Sequence, residues 1–118
     1  MKPPSSAPAV VEQTYALWLW LDAHAVHLPA HARASLGARA LDAALDLLAA
    51  LLDAAYTPRA DVAHAAALRT AARHANLLRY LLRGMHDRHH LSHDQHGHVA
   101  AQLDVIARAV GAWRKARP

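Results

Sequence analysis

Four stretches with helical periodicity, separated by short breaks, constrain this 118-residue chain more than any other feature. Within each stretch apolar residues recur every three to four positions, which places them on one face of an α-helix. Alanine is abundant, phenylalanine is absent and β-branched residues are few, a composition that favours helices over strands. The sequence therefore predicts an all-α protein.

Two breaks that contain proline delimit the first two predicted helices. Pro29 ends a helix over residues 9–26, because a proline disfavours helical backbone in the residue before it. A second helix is predicted over residues 32–56, and Thr57 with Pro58 ends it. Both segments are long enough to present an apolar face to a common core.

The third and fourth helices begin at capping signals. We expect Thr57 to cap a helix over residues 59–85, with Pro58 in its first turn. Ser92 and Gln95 have the spacing of a capping box, which predicts a fourth helix that runs to about residue 116.

Four amphipathic helices with short connections predict an antiparallel, up-down-up-down four-helix bundle. The bundle is predicted to form one domain over residues 9–118, preceded by a disordered, Pro- and Ser-rich tail over residues 1–8.

Each helix has a predicted core face. In the first helix it consists of Val11, Tyr15, Trp18, Leu21 and Ala25. In the second it consists of Leu41, Ala44, Leu45, Leu48, Leu51, Leu52 and Ala55, with Asp42, Asp46 and Asp53 on the wet side. The third contributes Leu68, Ala71, Ala75, Leu78, Leu82 and Met85. The fourth contributes Val99, Leu103, Ile106, Val110 and Trp113. An outer row on the first helix is expected to face a second subunit: Leu17, Trp20, His24 and His27.

The chain is basic, with 13 Lys and Arg residues against nine acidic ones, a net charge of +4. Residues 1–56 hold three basic and five acidic residues (−2), whereas residues 57–118 hold ten and four (+6). Only Lys2 and Lys115 are lysines, and arginine matches phosphate with a planar fork. We therefore expect an anionic partner to meet the second half of the chain.

One face of the third helix carries the predicted binding row, at steps of four, three, four and three: Arg69, Arg73, Asn76, Tyr80 and Arg83. Arg79 flanks it, and the fourth helix adds Arg108, Arg114 and Lys115. Arginines bind phosphates, and an exposed tyrosine stacks on bases. The alternatives are a solvated face, or arginines paired with second-helix aspartates or a neighbouring subunit. Asp104 is expected to pair with Arg108.

Six of the eleven histidines lie between residues 86 and 98: His86, His89, His90, His93, His96 and His98. Imidazoles bind zinc, nickel and copper, and they gain charge below about pH 6.5. Most of the cluster falls in a predicted connection, where ligand geometry is loose, so no metal ligand is assigned.

No catalytic apparatus is predicted. The chain has no cysteine, no glycine-rich phosphate loop and no nucleophile motif around its few serines. We assign no cofactor and predict no enzyme. The N-terminal residues lack the apolar core of a signal peptide, and no apolar run reaches membrane length, so a cytoplasmic protein is expected.

The order of several short motifs resembles one four-helix bundle family. These motifs are Ala16-Leu17-Trp18-Leu19-Trp20-Leu21, Leu28-Pro29, Ser35-Leu36-Gly37-Ala38-Arg39, the string from Leu41 to Leu48, Ala54-Ala55-Tyr56, Leu78-Arg79-Tyr80-Leu81-Leu82-Arg83, Leu91-Ser92 and Gly111-Ala112-Trp113. The family includes Avd, the accessory variability determinant of diversity-generating retroelements, and proteins encoded by intervening sequences in bacterial ribosomal RNA. The second-helix string and the Gly-x-Trp ending look more like the retroelement branch.

The resemblance implies a homopentamer of four-helix protomers that binds a reverse transcriptase and its template RNA, or an RNA/DNA hybrid, during error-prone cDNA synthesis. The family's basic residues match Arg79 and Arg83 directly, and Arg69, Arg73, Arg108 and Arg114 correspond more loosely.

The chain departs from the family at two connections. Leu28-Pro29-Ala30 stands where the family usually has an aromatic-Pro-basic turn, and the histidine-rich connection is atypical. Three alternative functions stay open: a bundle protein of the ribosomal-RNA intervening-sequence type, a metal- or pH-responsive interaction module built on the histidines, and a purely structural oligomerisation domain.

Overall fold

The computed structural model describes residues 7–116, and every regular element in that range is helical. The elements, in chain order, are α1 (Ala7–Ala25), a continuous segment α2, α3 (Val62–Asp87) and α4 (His93–Lys115). Segment α2 consists of an α-helical turn Ala30–Ala32, a π-helical turn Arg33–Gly37 and an α-helix Ala38–Tyr56. The all-α prediction is confirmed for this part of the chain.

The four helices pack compactly, with principal extents of 46 × 21 × 21 Å. α2 lies against α3, α3 against α4, and α1 against both α2 and α4. The predicted tail covered residues 1–8, of which residues 1–6 lie outside the described residues. Its last two residues, Ala7 and Pro8, belong to α1. None of the described helices is both long and apolar enough to cross a membrane.

The predicted core faces of α3 and α4 are confirmed in full. Every residue of both rows is buried, and Leu78, Leu103 and Ile106 have no exposed surface. The buried positions of both helices recur at steps of three and four, which defines one core face, and Leu77 and Val105 are apolar residues exposed outside it.

The predicted core face of α1 is wrong by one position over most of its length. The helix buries Val10, Thr14, Leu17 and Leu21, whereas Tyr15 is 44% exposed. A threonine fits the core because its hydroxyl donates to the Val10 carbonyl at 2.8 Å, which satisfies the buried oxygen. Leu17, expected on an outer row, is fully buried.

The predicted core face of α2 is only partly correct. Leu51, Ala44 and Ala55 are buried, but Leu45 and Leu52 are 42% and 36% exposed. Alanines take much of the buried face instead: Ala40, Ala43, Ala44, Ala50, Ala54 and Ala55. Small side chains allow neighbouring helices to approach closely, so the buried face combines these alanines with Leu47 and Leu51 and leaves Leu45 and Leu52 outside it. The three aspartates are exposed, as expected.

The predicted start of α3 is wrong. Thr57 closes α2, and its hydroxyl donates backward to the Asp53 carbonyl at 2.6 Å. Residues 58–60 form a turn, and Asp61 caps the helix by accepting the Ala63 amide at 2.9 Å. A carboxylate caps a helix as well as a hydroxyl does, so Asp61 rather than Thr57 serves as the N-cap of α3.

The connection between α3 and α4 is held by local hydrogen bonds. His89 has a left-handed backbone (φ 64°), and the His90 amide donates to the Met85 carbonyl at 2.7 Å, the pattern of a Schellman motif. Ser92 and Gln95 then form both hydrogen bonds of the predicted capping box. That prediction is confirmed.

Candidate nucleic-acid interface

The five side chains predicted to form a row on α3 are all exposed. Arg69 and Arg83 mark its ends, fourteen residues apart, which is about 21 Å at the α-helical rise. Tyr80 is 68% exposed within the row, and its ring is therefore accessible to a partner. We call these five residues the arginine row: Arg69, Arg73, Asn76, Tyr80 and Arg83.

Two arginines of the row have no acidic partner among the described residues. Within residues 7–116, no carboxylate oxygen lies within 4.0 Å of the guanidinium nitrogens of Arg69 or Arg73. The alternative that pairs the row with second-helix aspartates therefore has no ion pair to support it in this part of the chain. Like charges at this spacing repel one another mildly, and an anion would relieve that repulsion.

The other arginines of α3 do have acidic partners. Arg79 donates to the Asp104 carboxylate on α4, and Arg83 Nε lies 3.8 Å from Asp87 Oδ2. The hydrogen bond from Arg79, its charge and the charge of Arg108 hold the pKa of Asp104 below its usual range. The predicted pairing of Asp104 with Arg108 is wrong, because Arg79 reaches the same carboxylate across the helix interface.

The predicted basic residues of α4 are exposed and lie in two places. Arg108 is one turn beyond Asp104, beside the Arg79 pair. Arg114 and Lys115 lie in the last turn, where positive charge also stabilises the helix through its dipole. These two residues thus have a structural role independent of any ligand.

One basic residue near the row was missed by sequence reasoning. Arg59, in the turn before α3, lines a pocket together with Arg69 of α3 and Arg114 of α4. Arg59 follows Pro58 in a connection and belongs to no periodic pattern, so no sequence signal singles it out.

The prediction that most of the clustered histidines lie in the α3–α4 connection is wrong: only His89 and His90 do, because α3 extends to Asp87 and α4 begins at His93. Three of the others form ring contacts between the two helices. The His86 ring stacks on His96 with centroids 4.7 Å apart and lies 6.0 Å from His93. Burial, followed by the neighbouring His86, lowers the pKa of His96 below its ordinary value. Among residues 7–116, no group of three or more His, Asp or Glu side chains is arranged to hold a metal ion.

The row of α1 that was expected to face a second subunit mostly packs against other parts of its own protomer. Trp20 stacks on His24, with centroids 5.0 Å apart, and lies 5.8 Å from His98 of α4. His24 Nε2 donates to the His90 carbonyl at 2.8 Å. With Leu17 in the core, the prediction that this row faces a second subunit is not supported by its surroundings.

Comparisons with protein-family models, with curated protein sequences and with solved structures gave no match to this chain. The interface is therefore characterised by its own residues: an exposed basic row on α3, continued by basic side chains of α4.

Proposed function

We propose that this chain is a non-enzymatic accessory protein of a diversity-generating retroelement, acting in the cytoplasm. It binds template RNA through the arginine row and holds a reverse transcriptase at another surface. The observation that carries the proposal is the exposure of Arg69 and Arg73 without any carboxylate within 4.0 Å in the described residues. The motif resemblance supports the choice of this class of element.

The row has the chemistry that a sequence-independent RNA site needs. Arginine forks bind phosphate oxygens with two parallel hydrogen bonds, and each contact releases counterions from the strand. Tyr80, exposed between Asn76 and Arg83, offers a ring on which an unpaired base can stack. Such contacts tolerate any sequence, which suits a protein that handles variable templates.

We infer that the helices run antiparallel, up-down-up-down. The connections are short: residues 26–29, 57–61 and 88–92. Five extended residues span at most about 18 Å, whereas a helix as long as α3 measures about 39 Å. No connection can return along a neighbouring helix, and this length argument supports a reversal of direction at each one.

We further propose that the protomer assembles into a homopentamer, as the resemblance implies. Leu45 and Leu52, seven residues apart on α2, are exposed and supply an apolar stripe for a second copy. Repetition of a weak RNA site around a ring raises the effective affinity for a long strand.

RNA binding at fixed low salt tests the proposal directly. We expect Arg69→Glu/Arg73→Glu to weaken binding of a structured RNA by more than about tenfold, a loss of about 1.4 kcal/mol. The matched control, Arg33→Glu/Arg39→Glu, makes the same charge change on α2 and is expected to cost much less. Equal losses for both variants would contradict a binding site on the row.

Association with a polymerase is tested by co-purification with any reverse transcriptase that a neighbouring gene encodes. Binding that survives nuclease treatment is expected, because a separate protein surface is proposed for the polymerase. An RNA-binding protein that retains no polymerase would favour the ribosomal-RNA intervening-sequence type instead.

A further inference from the structure

A small basic pocket lies where the arginine row ends. Three separate parts of the chain form it: Arg59 from the turn before α3, His64 and Arg69 from α3, and Trp113 and Arg114 from α4. Its volume is about 220 Å³. Sites that enclose whole small molecules usually measure roughly 300–1,000 Å³, so this one suits a single chemical group.

The pocket is lined by three arginines: Arg59, Arg69 and Arg114. None of the described residues that line it is acidic. No carboxylate oxygen in the described part of the chain lies within 4.0 Å of Arg59, Arg69 or Arg114. The nearest acidic residue in sequence, Asp61, uses one oxygen to cap α3. Three arginine forks around one cavity favour a dianionic ligand over a monoanion.

A buried histidine supplies a polar atom to the same pocket. His64 is 7% exposed, and its Nδ1 lies 2.9 Å from the Ala54 carbonyl oxygen. A carbonyl only accepts, so Nδ1 carries the proton and donates. Nε2 has no hydrogen-bond partner among the described residues, while the ring lines the pocket and packs edge-on against Trp113 at 5.5 Å.

Water or a ligand can reach His64 Nε2, because the buried side-chain atoms that lack a hydrogen-bond partner in the described part of the chain are Trp18 Nε1 and Gln102 Oε1 and do not include it. A neutral His64 ring accepts a hydrogen bond at Nε2 from a proton-bearing ligand oxygen, and a protonated ring donates there. Either form can bind one oxygen of a phosphate group while the arginines bind the others.

We propose that this pocket binds a terminal phosphate monoester of a nucleic-acid strand. The inference rests on the proposed function, because Arg69 belongs both to the pocket and to the arginine row. A strand that follows the row toward the start of α3 reaches the pocket at its end. A terminal monoester carries more charge than an internal phosphodiester, which the three arginines would distinguish.

The experiment compares one short single-stranded RNA in three forms: with a 5′-phosphate, with a 3′-phosphate and with hydroxyls at both ends. We expect one phosphorylated form to bind about tenfold more tightly than the hydroxyl form, the effect of added charge-assisted hydrogen bonds. Arg59→Gln, which removes one guanidinium from the pocket, is expected to abolish this ratio of affinities, whatever its effect on binding of the hydroxyl form. Arg33→Gln, an exposed arginine on α2, is the control and should preserve the difference.

Equal affinity for all three forms would overturn the pocket inference and leave the proposed function standing. A preference for phosphorylated ends that persists in Arg59→Gln would overturn it as well. Titration with a nucleoside monophosphate distinguishes the phosphate at the end of a strand from the phosphate of a free nucleotide. If the monophosphate binds in an Arg59-dependent way while no RNA form binds, phosphate recognition is supported but its source is a free nucleotide, and the proposed function fails.

Discussion

His89 occupies a backbone conformation that side chains resist. Its φ of 64° lies in the left-handed region, where a Cβ crowds the following carbonyl at a cost of roughly 1–2 kcal/mol. Glycine is the usual residue at this position of a Schellman motif. The chain therefore retains a histidine at a site where its conformation is unfavourable.

We predict that His89→Gly raises the free energy of unfolding by about 1 kcal/mol, because glycine adopts this conformation without the Cβ penalty. Denaturant unfolding followed by circular dichroism measures the change. His90→Gly is the control, since a left-handed backbone occurs at His89 and not at His90. A loss of stability in His89→Gly would show that the imidazole contributes more than its backbone costs.

The lowered pKa of His96 predicts that the free energy of unfolding depends on pH. Burial and the nearby His86 and His93 lower its pKa, and Asp87 opposes them. The unfolded chain thus binds this proton more readily than the folded chain does. The contribution of His96 to stability is therefore greatest above the ordinary histidine pKa of 6.5 and declines as the pH falls through it.

Urea unfolding between about pH 7.5 and pH 5.5 measures this dependence. We expect His96→Gln to lose less stability than the parent chain over that range. His74→Gln, on α3 away from the histidine connection, should behave as the parent does. An identical pH profile for the parent and His96→Gln would contradict the assignment to His96.

At the scale of the elements, the π-helical turn of α2 depends on Gly37. A Cβ at this buried position would lie 2.9 Å from the Ala32 carbonyl oxygen and 3.0 Å from Leu28 Cδ1. The first of these atoms belongs to the backbone and cannot rotate away. Gly37 has an ordinary helical φ of −60°, so backbone conformation does not require glycine here. The turn needs glycine because the chain passes too close to itself for a Cβ.

We predict that Gly37→Ala destabilises the protein by about 1–3 kcal/mol, the usual cost of overpacking. Gly97→Ala is the matched control, because a Cβ there meets nothing within 4 Å inside α4. That change should stabilise the helix by about 0.5–1 kcal/mol. Thermal unfolding of both variants distinguishes the effects by sign, and a stabilised Gly37→Ala would contradict the close approach.

The helices differ in how well the sequence alone predicts their buried faces. In α3 and α4 the charged residues lie mostly outside the apolar rows, so the helical period indicates which face is buried. In α1 the run from Leu17 to Leu21 is apolar on all sides, and in α2 alanines and leucines occupy every side that the exposed aspartates leave free. Periodicity does not select between such faces, because the choice depends on how closely the neighbouring helices approach.

The candidate site likewise has parts that the sequence predicts and parts that it does not. Exposure of the arginine row was predictable, since it lies opposite a clear apolar face of α3. The Arg79–Asp104 pair and the pocket at Arg59 were not, because they join residues that only the packing of α3 against α4 brings together.

At the scale of the whole molecule, charge is divided between its parts. The chain up to residue 56 carries −2 and the remainder +6, so α3 and α4 present the basic surface. An anionic strand is attracted to that side and repelled by the aspartates of α2. The exposed leucines of α2 thus lie on the less basic part of the chain, which leaves them available for protein contacts.

We predict that Leu45→Glu/Leu52→Glu prevents formation of the proposed pentamer while the protomer stays folded, because both side chains are already partly exposed. Native mass spectrometry should then report 12.8 kDa, the mass of one chain. Leu77→Glu, at an exposed leucine of α3, is expected to keep the assembly intact. Assembly that survives the double change would place the interface elsewhere.

The dependence of RNA affinity on salt tests the arginine row most directly. Each phosphate contact contributes about −0.7 to the slope of log affinity against log salt for a single strand. We expect Arg69→Glu/Arg73→Glu to flatten that slope by roughly 1.4, the share of two contacts, and Arg33→Glu/Arg39→Glu to leave it nearly unchanged. A slope untouched by the row variant would contradict phosphate binding there and would make Arg69 and Arg73 part of a solvated face.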